Sequence, residues 1–480
     1  MVVAKKIAYN VVVSSVAKAL ATILALVSIG FITRYLGKEG FGDYATLLAF
    51  LSFFTAIADL GLYHISTREI SRIGADEKKV IGNIFSLRLI ASSLVVIISP
   101  IIIFFLPYPL IVKQGIFIVA LSFLFSSSYQ MLNGVFQKNL AMDKVVLAEL
   151  IGKVIQVLVI IVSVKLNLSL LWIISSLLCY MIVSFSIILF WSKRYIRFKL
   201  QFDFSYWKEF LKESLPMGAV AIITFMYFKM DTLMLSFMKS NADVGIYNAA
   251  YKVLENLTFF PAMVAGLMMP ILAKNIFLDR KEFETIANKT FKFFLVIVVP
   301  LVIGVLFLSD GVIGVISGSG FSESANVLRI LVFALALIFF GHFFNIILIV
   351  GNLQKKLMII LSFAAVVNIS LNYFFIPRFS YLASAWASVL TELIVVFLTA
   401  IMVFVKIKYF PRVEKFWGLL LAGALMGGFL TIFKNLNFFV LIISSAALYF
   451  VLIWIFGVIK NSEITSLISK KGIQEYERLP

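Results

Sequence analysis

One cysteine, two histidines and ten prolines are all that 480 residues hold of those types, and only 14% of the chain is charged. The single thiol, Cys179, rules out a disulfide framework and a thiolate metal site. Two histidines, His64 and His342, cannot build an imidazole cluster, so no metal and no cofactor is expected. Soluble domains carry about 25% charged and 45–50% apolar residues. Catalytic signatures are missing as well. The chain has no Walker A motif, no His-Glu-x-x-His and no Gly-x-Ser-x-Gly, and the glycines of Ser317-Gly318-Ser319-Gly320 lack the lysine and hydroxyl that a phosphate loop needs. An ATPase, a zinc hydrolase and a serine hydrolase are excluded. No cleaved leader is expected either: the apolar stretch after Lys5 and Lys6 runs on to about Phe31 and reads as a retained first span.

What is present is hydrophobic length. Apolar residues make up 62% of the chain and fall in runs of about twenty, each long enough to cross roughly 30 Å of hydrocarbon as a helix. The fold class expected is all-α integral membrane, with about fourteen spans: 9–33, 43–67, 82–106, 114–137, 144–165, 168–191, 214–238, 245–273, 291–315, 327–351, 355–376, 380–405, 416–434 and 437–458. Asp310 and the glycines near 310–323 are where this count is most open to change.

The net charge of +18 reads as a topology signal rather than a nucleic-acid footprint. With both termini in the cytoplasm, and margin residues counted with the adjoining loops, 29 Lys/Arg fall on cytoplasmic segments, 7 on external ones and 6 within spans. The localisation expected is the cell (cytoplasmic) membrane, with anionic lipids as partners of the basic face. The longest connection, 192–213, is cytoplasmic. Its second half alternates Trp207, Phe210 and Leu211 with Lys208, Glu209, Lys212 and Glu213, the pattern of an amphipathic helix at the membrane surface or of a solvated connector. Residues 280–292 and the tail from about 462 read the same way.

That connector separates six spans from eight. Gly42-Asp43-Tyr44 opens span 2, and Gly245-Ile246-Tyr247 opens span 8, 203 residues later. Two six-span halves in the same orientation make a parallel repeat. The organisation expected is a six-helix lobe over 1–191, the connector 192–213, a second six-helix lobe over 214–406, two additional helices over 407–459 and a cytoplasmic tail over 460–480.

Polar residues recur inside the spans at helical spacing. Asn10, Ser14, Lys18 and Thr22 form one stripe, and Thr55, Asp59, Tyr63 and Ser66 another. Lys18 and Asp59 lie roughly 12–14 Å deep, close enough in level to pair. Span 4 offers Gln130 and Asn133, and Glu149 and Lys153 stand at a self-pairing i,i+4 spacing. In the second half come Lys229, Asp231, Lys252, Glu255, Arg329, His342, Asn368, Asn372 and Glu392. Polar side chains often only join membrane helices. Lys18, Asp59, Arg88 and Asp231 have no partner on their own helix, and a cavity-lining role is favoured for them. Embedded cations number six and anions five, so charge alone does not name the cargo.

Arg34-Tyr35-Leu36-Gly37, Phe41-Gly42-Asp43-Tyr44, Asp59-Leu60-Gly61-Leu62 and Arg68-Glu69 follow in order over the first two spans. This arrangement resembles the Wzx-type polysaccharide (O-antigen or oligosaccharide) flippases, of the superfamily that includes the multidrug and toxin extruders and the lipid II flippases. The resemblance is specific over about the first 90 residues and continues in layout to about residue 405. It implies two lobes around a central cavity and no enzymatic activity. The cargo implied is a polyisoprenyl-pyrophosphate-linked oligosaccharide, moved from the cytoplasmic to the outer leaflet by alternating access. Lys18, Arg34, Arg88, Lys153, Lys252 and Arg329 are then the candidates for phosphate contacts. Asp59, Asp231 and Glu255 are the candidates for coupling to H+ or Na+. A polysaccharide polymerase and glycosyltransferases would be partners; nucleic acid would not. The main alternative is a multidrug cation antiporter of the same superfamily, which would show an acid-dominated cavity. A major-facilitator carrier is disfavoured because the loop Arg68-Glu69-Ile70-Ser71-Arg72 does not fit its motif.

Overall fold

The computed structural model describes residues 2–59, 61–70 and 76–459, with the side chains of 2–12, 14, 15, 63 and 64 outside that description. The side chains of Asn10, Ser14, Tyr63 and His64, and the whole 460–480 tail, therefore lie outside that description. Among the described residues the regular structure is helical throughout: α1 (Val2–Asp59), α2 (Leu62–Ile70), α3 (Glu77–Phe104), α4 (Leu110–Lys138), α5 (Met142–Lys165), α6 (Leu170–Ser192), α7 (Phe204–Met238), α8 (Asn241–Leu257), α9 (Phe259–Asn275), α10 (Arg280–Ile316), α11 (Ser322–Val350), α12 (Gln354–Met402), α13 (Phe416–Ile432) and α14 (Phe438–Ile455). Eleven helical stretches are long and apolar enough to cross a membrane, and Phe416–Ile432 is a shorter apolar helix. The protein is an all-α, multi-pass membrane protein.

Two of these stretches are too long for one crossing. Val16–Asp59 has 44 residues and Gln354–Ile407 has 54, about 66 and 81 Å at 1.5 Å per residue. Each is broken near its middle. Gly37 turns at φ 64°, in the left-handed region that glycine enters without Cβ strain, and Ser380 turns at φ 48°. The break at Ser380 follows Pro377, which cannot donate the helical hydrogen bond. Further breaks occur at Gly61 (φ 75°), between α1 and α2, and at Thr258, between α8 and α9. Asp310, where an interruption was expected, lies inside α10, which continues to Ile316.

The amphipathic segment at 206–215 is the first part of α7, continuous with the span that follows. Its apolar face is covered by protein. Phe210 joins Leu62, Ile65, Ile70, Val80, Ile81, Ile84, Met131, Val135 and Ile196 in one buried cluster, and Trp207 is buried beside it. Lys208, Glu209, Lys212 and Glu213 are exposed, so the alternation predicted a helix and packing chose its site.

The chain forms two compact units. The first comprises residues 1–248, 316–320 and 372–381, and the second 249–315, 321–371 and 382–480. In the first, α4 packs on α6 and α3, α5 packs on α6, and α1 packs on α5 and α7. In the second, α13 and α14 share a core with α10, where Val296 meets Leu419, Met426 and Tyr449. A Cβ at Gly423 would press on Val299 and Ile303, so the missing side chain sets how closely α13 approaches α10.

Candidate functional site

Within the first unit, the second arm of α1 (residues 38–59) runs along α7. A cavity of about 570 Å³ opens on this seam, lined by Leu51, Ser52, Thr55, Ala56 and Asp59 from α1, Gln130 from α4, and residues from Met217 to Lys229 of α7. Most of the lining is apolar. Polar groups enter at Ser52, Thr55, Asp59, Gln130, Thr224 and Lys229, a mixture suited to an amphiphilic ligand with a few oriented contacts.

Asp59 carries the chemistry at one end. It accepts from Arg88 Nη2, and Arg88 Nη1 donates to the carbonyl of Ser127 at 3.1 Å. Arg88 is 2% exposed and its Nε is buried without a hydrogen-bond partner. A guanidinium so placed is held by its carboxylate and carbonyl, because losing either would leave charge or donors in a dry interior. Asp59 sits between this buried cation and the cavity.

The seam is closed beyond the cavity at both ends. At one end, a methyl group on Gly42 would overlap the Asn241 carbonyl, and one on Gly245 would overlap the carbonyl of Lys38. The two glycines thus allow backbone to meet backbone. Asn241 Nδ2 also donates to Asp43 at 2.7 Å. Between this contact and the cavity, Phe50, Tyr108 and Phe237 pack ring on ring at 5.5–6.4 Å, and Tyr108 and Ser236 share a hydroxyl hydrogen bond of 2.7 Å. At the other end, Gly61 lies against Met217, the Ser214 carbonyl and the Gly218 nitrogen. Beyond it Arg68 pairs with Glu69 at 2.8 Å and Glu213 at 2.5 Å. Glu69 first, then Glu213, hold the Arg68 guanidinium above its ordinary pKa. Both Arg68 and Glu213 are about half exposed, so solvent screens that pair and the Gly61 packing is the stronger fastening.

The nine candidate residues distribute unevenly over this geometry. Asp59 lines the cavity and Arg88 stands directly behind it. Lys18 is half exposed and lies 4.0 Å from Glu149, rather than from Asp59. Lys153 donates to Gln156 at 3.1 Å, with its ammonium 4.8 Å from the Tyr180 ring centre. Glu149 and Lys153 thus each have a partner beyond the one that their i,i+4 spacing offers. Arg34 donates from Nη1 to the carbonyls of Ile316 and Gly30, at 2.9 and 3.1 Å. Asp231 is buried and accepts from Tyr247 at 2.9 Å and Asn372 at 2.8 Å. In the second unit, Lys252 and Glu255 pair at 2.6 Å. Arg329 binds Asp310, Asn326 at 2.7 Å and the Leu306 carbonyl at 3.3 Å, tying α10 to α11. Lys229 was visible in the sequence as an embedded cation but was not among the phosphate candidates; it lines the cavity. The adjacency of the α7 register to α1 is what places it there, and no single-helix pattern carries that information. Among the described residues no group of His, Cys, Asp and Glu could hold a metal ion.

Comparison with known proteins gives three findings. A family profile described as "Polysaccharide biosynthesis protein" matches residues 7–276. Among curated proteins, the capsular polysaccharide biosynthesis protein CapF of Staphylococcus aureus is 25% identical over 291 residues, 58% of this chain and 72% of CapF. The probable low-salt glycan biosynthesis flippase Agl15 of Haloferax volcanii is 26% identical over 111 residues, 22% of this chain and 23% of Agl15. Among solved structures, the lipid II flippase MurJ in an inward closed conformation aligns with TM-score 0.74 and 18% identity over 96% of this chain and 100% of its own. An inward-facing MATE-family multidrug transporter aligns with TM-score 0.66 and 15% identity, over 83% and 99%. The chain shares its fold with these two structures.

Proposed function

The chain belongs to the polysaccharide biosynthesis protein family, and from that premise we propose that it is a flippase for a polyisoprenyl-pyrophosphate-linked oligosaccharide, moving the head group from the cytoplasmic to the outer leaflet by alternating access. It is a transporter and not an enzyme. The observation that carries the reading is the α1–α7 seam: a mixed polar and apolar cavity with fastenings above and below it. Alternating access needs one fastening to part while the other holds, and both are built from close helix contacts that can separate without unfolding either helix.

The charge distribution assigns the sides. Both termini are cytoplasmic in this reading, so the Gly42–Gly245 contact faces outward and the Gly61 contact faces the cytoplasm. Counting the two broken stretches as helix pairs and adding Phe416–Ile432 gives the fourteen spans we propose. The lobes are residues 1–191 and 214–406, with 407–459 as two additional helices. Lys229 is the cation best placed to meet the pyrophosphate; Arg88 acts through Asp59, which it holds at the cavity wall. Asp59, Asp231 and Glu255 remain the carboxylates through which H+ or Na+ would act. Glycosyltransferases and a polysaccharide polymerase are the proteins expected to precede and follow it.

A multidrug cation antiporter would want a carboxylate in the cavity unmatched by a cation. The lining holds Asp59 and Lys229, and Asp59 is already paired with Arg88, which favours the flippase. Reconstitution into vesicles with a fluorescent lipid-linked oligosaccharide, with and without a proton or sodium gradient, tests the proposal. Translocation above that of empty vesicles is expected. Failure to move the lipid-linked sugar, with uptake of a cationic dye instead, would overturn it.

A further inference from the structure

We propose that residues 193–208 are a docking strap for anionic bilayer lipids, recognising their phosphate head groups with a row of cations and their acyl chains with exposed aromatic and aliphatic side chains. This does not rest on the flippase reading; it needs only that the chain spans a membrane.

The strap joins α6 to α7 and is pinned to the start of α3. A Cβ on Gly82 would overlap the Lys199 carbonyl, so the strap's backbone lies directly against that helix. The Gln201 N–H donates to the Gly82 carbonyl at 3.3 Å and the Asp203 N–H to Asn83 Oδ1 at 2.9 Å. Asn83 Nδ2 donates to Gln201 Oε1 at 3.1 Å, and the Trp207 indole donates to the Asn83 carbonyl at 3.0 Å. Gly82 lies five residues beyond Glu77, where α3 begins, about 8 Å along its axis. The strap is therefore held level with the first turns of an apolar span, where a chain enters hydrocarbon.

Its outward side combines two kinds of group. Leu200, Phe202 and Phe204 are 47%, 56% and 73% exposed, an unusual display for large apolar residues unless lipid covers them. Lys193, Arg194, Arg197, Lys199 and Lys208 are exposed around them. Among the described residues none of these five side chains makes an ion pair or hydrogen bond. Neighbouring cations differ: Lys79 lies 3.4 Å from Asp203, and Lys144 donates to the Tyr195 hydroxyl at 3.0 Å. Asp203, the acidic residue within the strap, is engaged by Lys79 and by the Tyr206 N–H. What remains is a row of cations without protein counter-ions beside apolar side chains. A leaflet of anionic lipid supplies both complements, and long basic side chains reach head groups while their stems lie along the acyl boundary.

The test uses the full-length protein in nanodiscs of phosphatidylcholine containing phosphatidylglycerol, with co-purifying lipids counted by native mass spectrometry. Wild type is expected to retain phosphatidylglycerol over phosphatidylcholine. Each cation neutralised by Lys→Gln or Arg→Gln should lower that preference by up to about five-fold, the equivalent of about 1 kcal/mol. Exchange of Lys193, Lys199 and Lys208 for arginine should preserve it, which separates charge from folding. Phe202→Ser with Phe204→Ser should reduce retention of both lipids alike. The proposal is overturned if the five-fold glutamine variant, melting like wild type, keeps its preference. It is also overturned if the strap selects polyprenyl pyrophosphate over phosphatidylglycerol at equal charge, which would make it a cargo site.

Discussion

Asp59→Asn keeps the side chain's size and one acceptor oxygen while removing the charge that faces Arg88. Arg88 is 2% exposed and cannot follow its lost partner into water, because its other contact is the Ser127 carbonyl in the same interior. Breaking one side of a buried ion pair costs about 3–5 kcal/mol. Asp59 is 15% exposed toward the cavity, so water or a ligand can partly compensate, which places the expectation near the lower figure, about 3 kcal/mol. Replacing both residues by apolar ones of similar volume, Asp59→Leu with Arg88→Met, removes the pair without stranding a charge. That variant should lie within about 1 kcal/mol of wild type, or exceed it. The assay is a double-mutant cycle on protein unfolded in a fixed detergent, followed by tryptophan fluorescence. Vesicle transport is measured in parallel, and the apolar pair should be stable yet inactive. If Asp59→Asn costs less than about 1 kcal/mol, or the cycle shows no coupling, the pair is not the buried fixture described here.

Four further outcomes follow. Gly42→Ala or Gly245→Ala should force the seam apart at the Asn241 and Lys38 carbonyls, raising labelling of a cysteine placed in the Phe50–Tyr108–Phe237 cluster by a membrane-impermeant thiol reagent; unchanged labelling would refute the fastening. Glu213→Gln should change stability by less than about 1 kcal/mol, since its pair with Arg68 is exposed, whereas Gly61→Ala, at φ 75° and against α7, should cost more in the same melting assay. Lys229→Ala should slow transport of the pyrophosphate-linked cargo while leaving the melting temperature close to wild type; equal losses in both would make Lys229 structural. Asp203 has its pKa lowered by the Tyr206 N–H and, secondarily, by Lys79, so its contribution is present above the ordinary carboxylate pKa and lost as pH falls through the lowered folded value. Hydrogen exchange at the start of α7 should therefore rise on acidification, and in Asp203→Asn that rise should be absent.

The all-α, multi-pass character of the fold was legible because hydrocarbon imposes a length on each apolar run. Gly42 and Gly245, singled out in the sequence by their shared Gly-x-Tyr setting, each meet the segment that carries the other. The motifs behind the family resemblance fall on joints of the fold: Gly37 at a break, Gly42 and Asp43 at one fastening, Gly61 and Arg68 at the other, and Asp59 at the cavity. Partner choice was not legible. Asp59 was matched in depth to Lys18, yet it binds Arg88 on α3, while Lys18 approaches Glu149 on α5. Depth along a helix can be counted from sequence, but the azimuth toward one neighbour rather than another depends on packing between helices. The same limit hid Lys229 and turned the amphipathic face at Trp207 and Phe210 toward protein.

The fastening at Gly42 and Gly245 sets carbonyls against α-carbons and includes the amide-to-carboxylate hydrogen bond from Asn241 to Asp43, with Arg34 holding neutral carbonyls nearby. The close packing in this contact has no Debye length, so changing the salinity of the adjoining solution should leave that part of its strength almost untouched. Whether the solution on that side is brine, fresh water or anything between, the packed seam would keep nearly the same resistance to leakage.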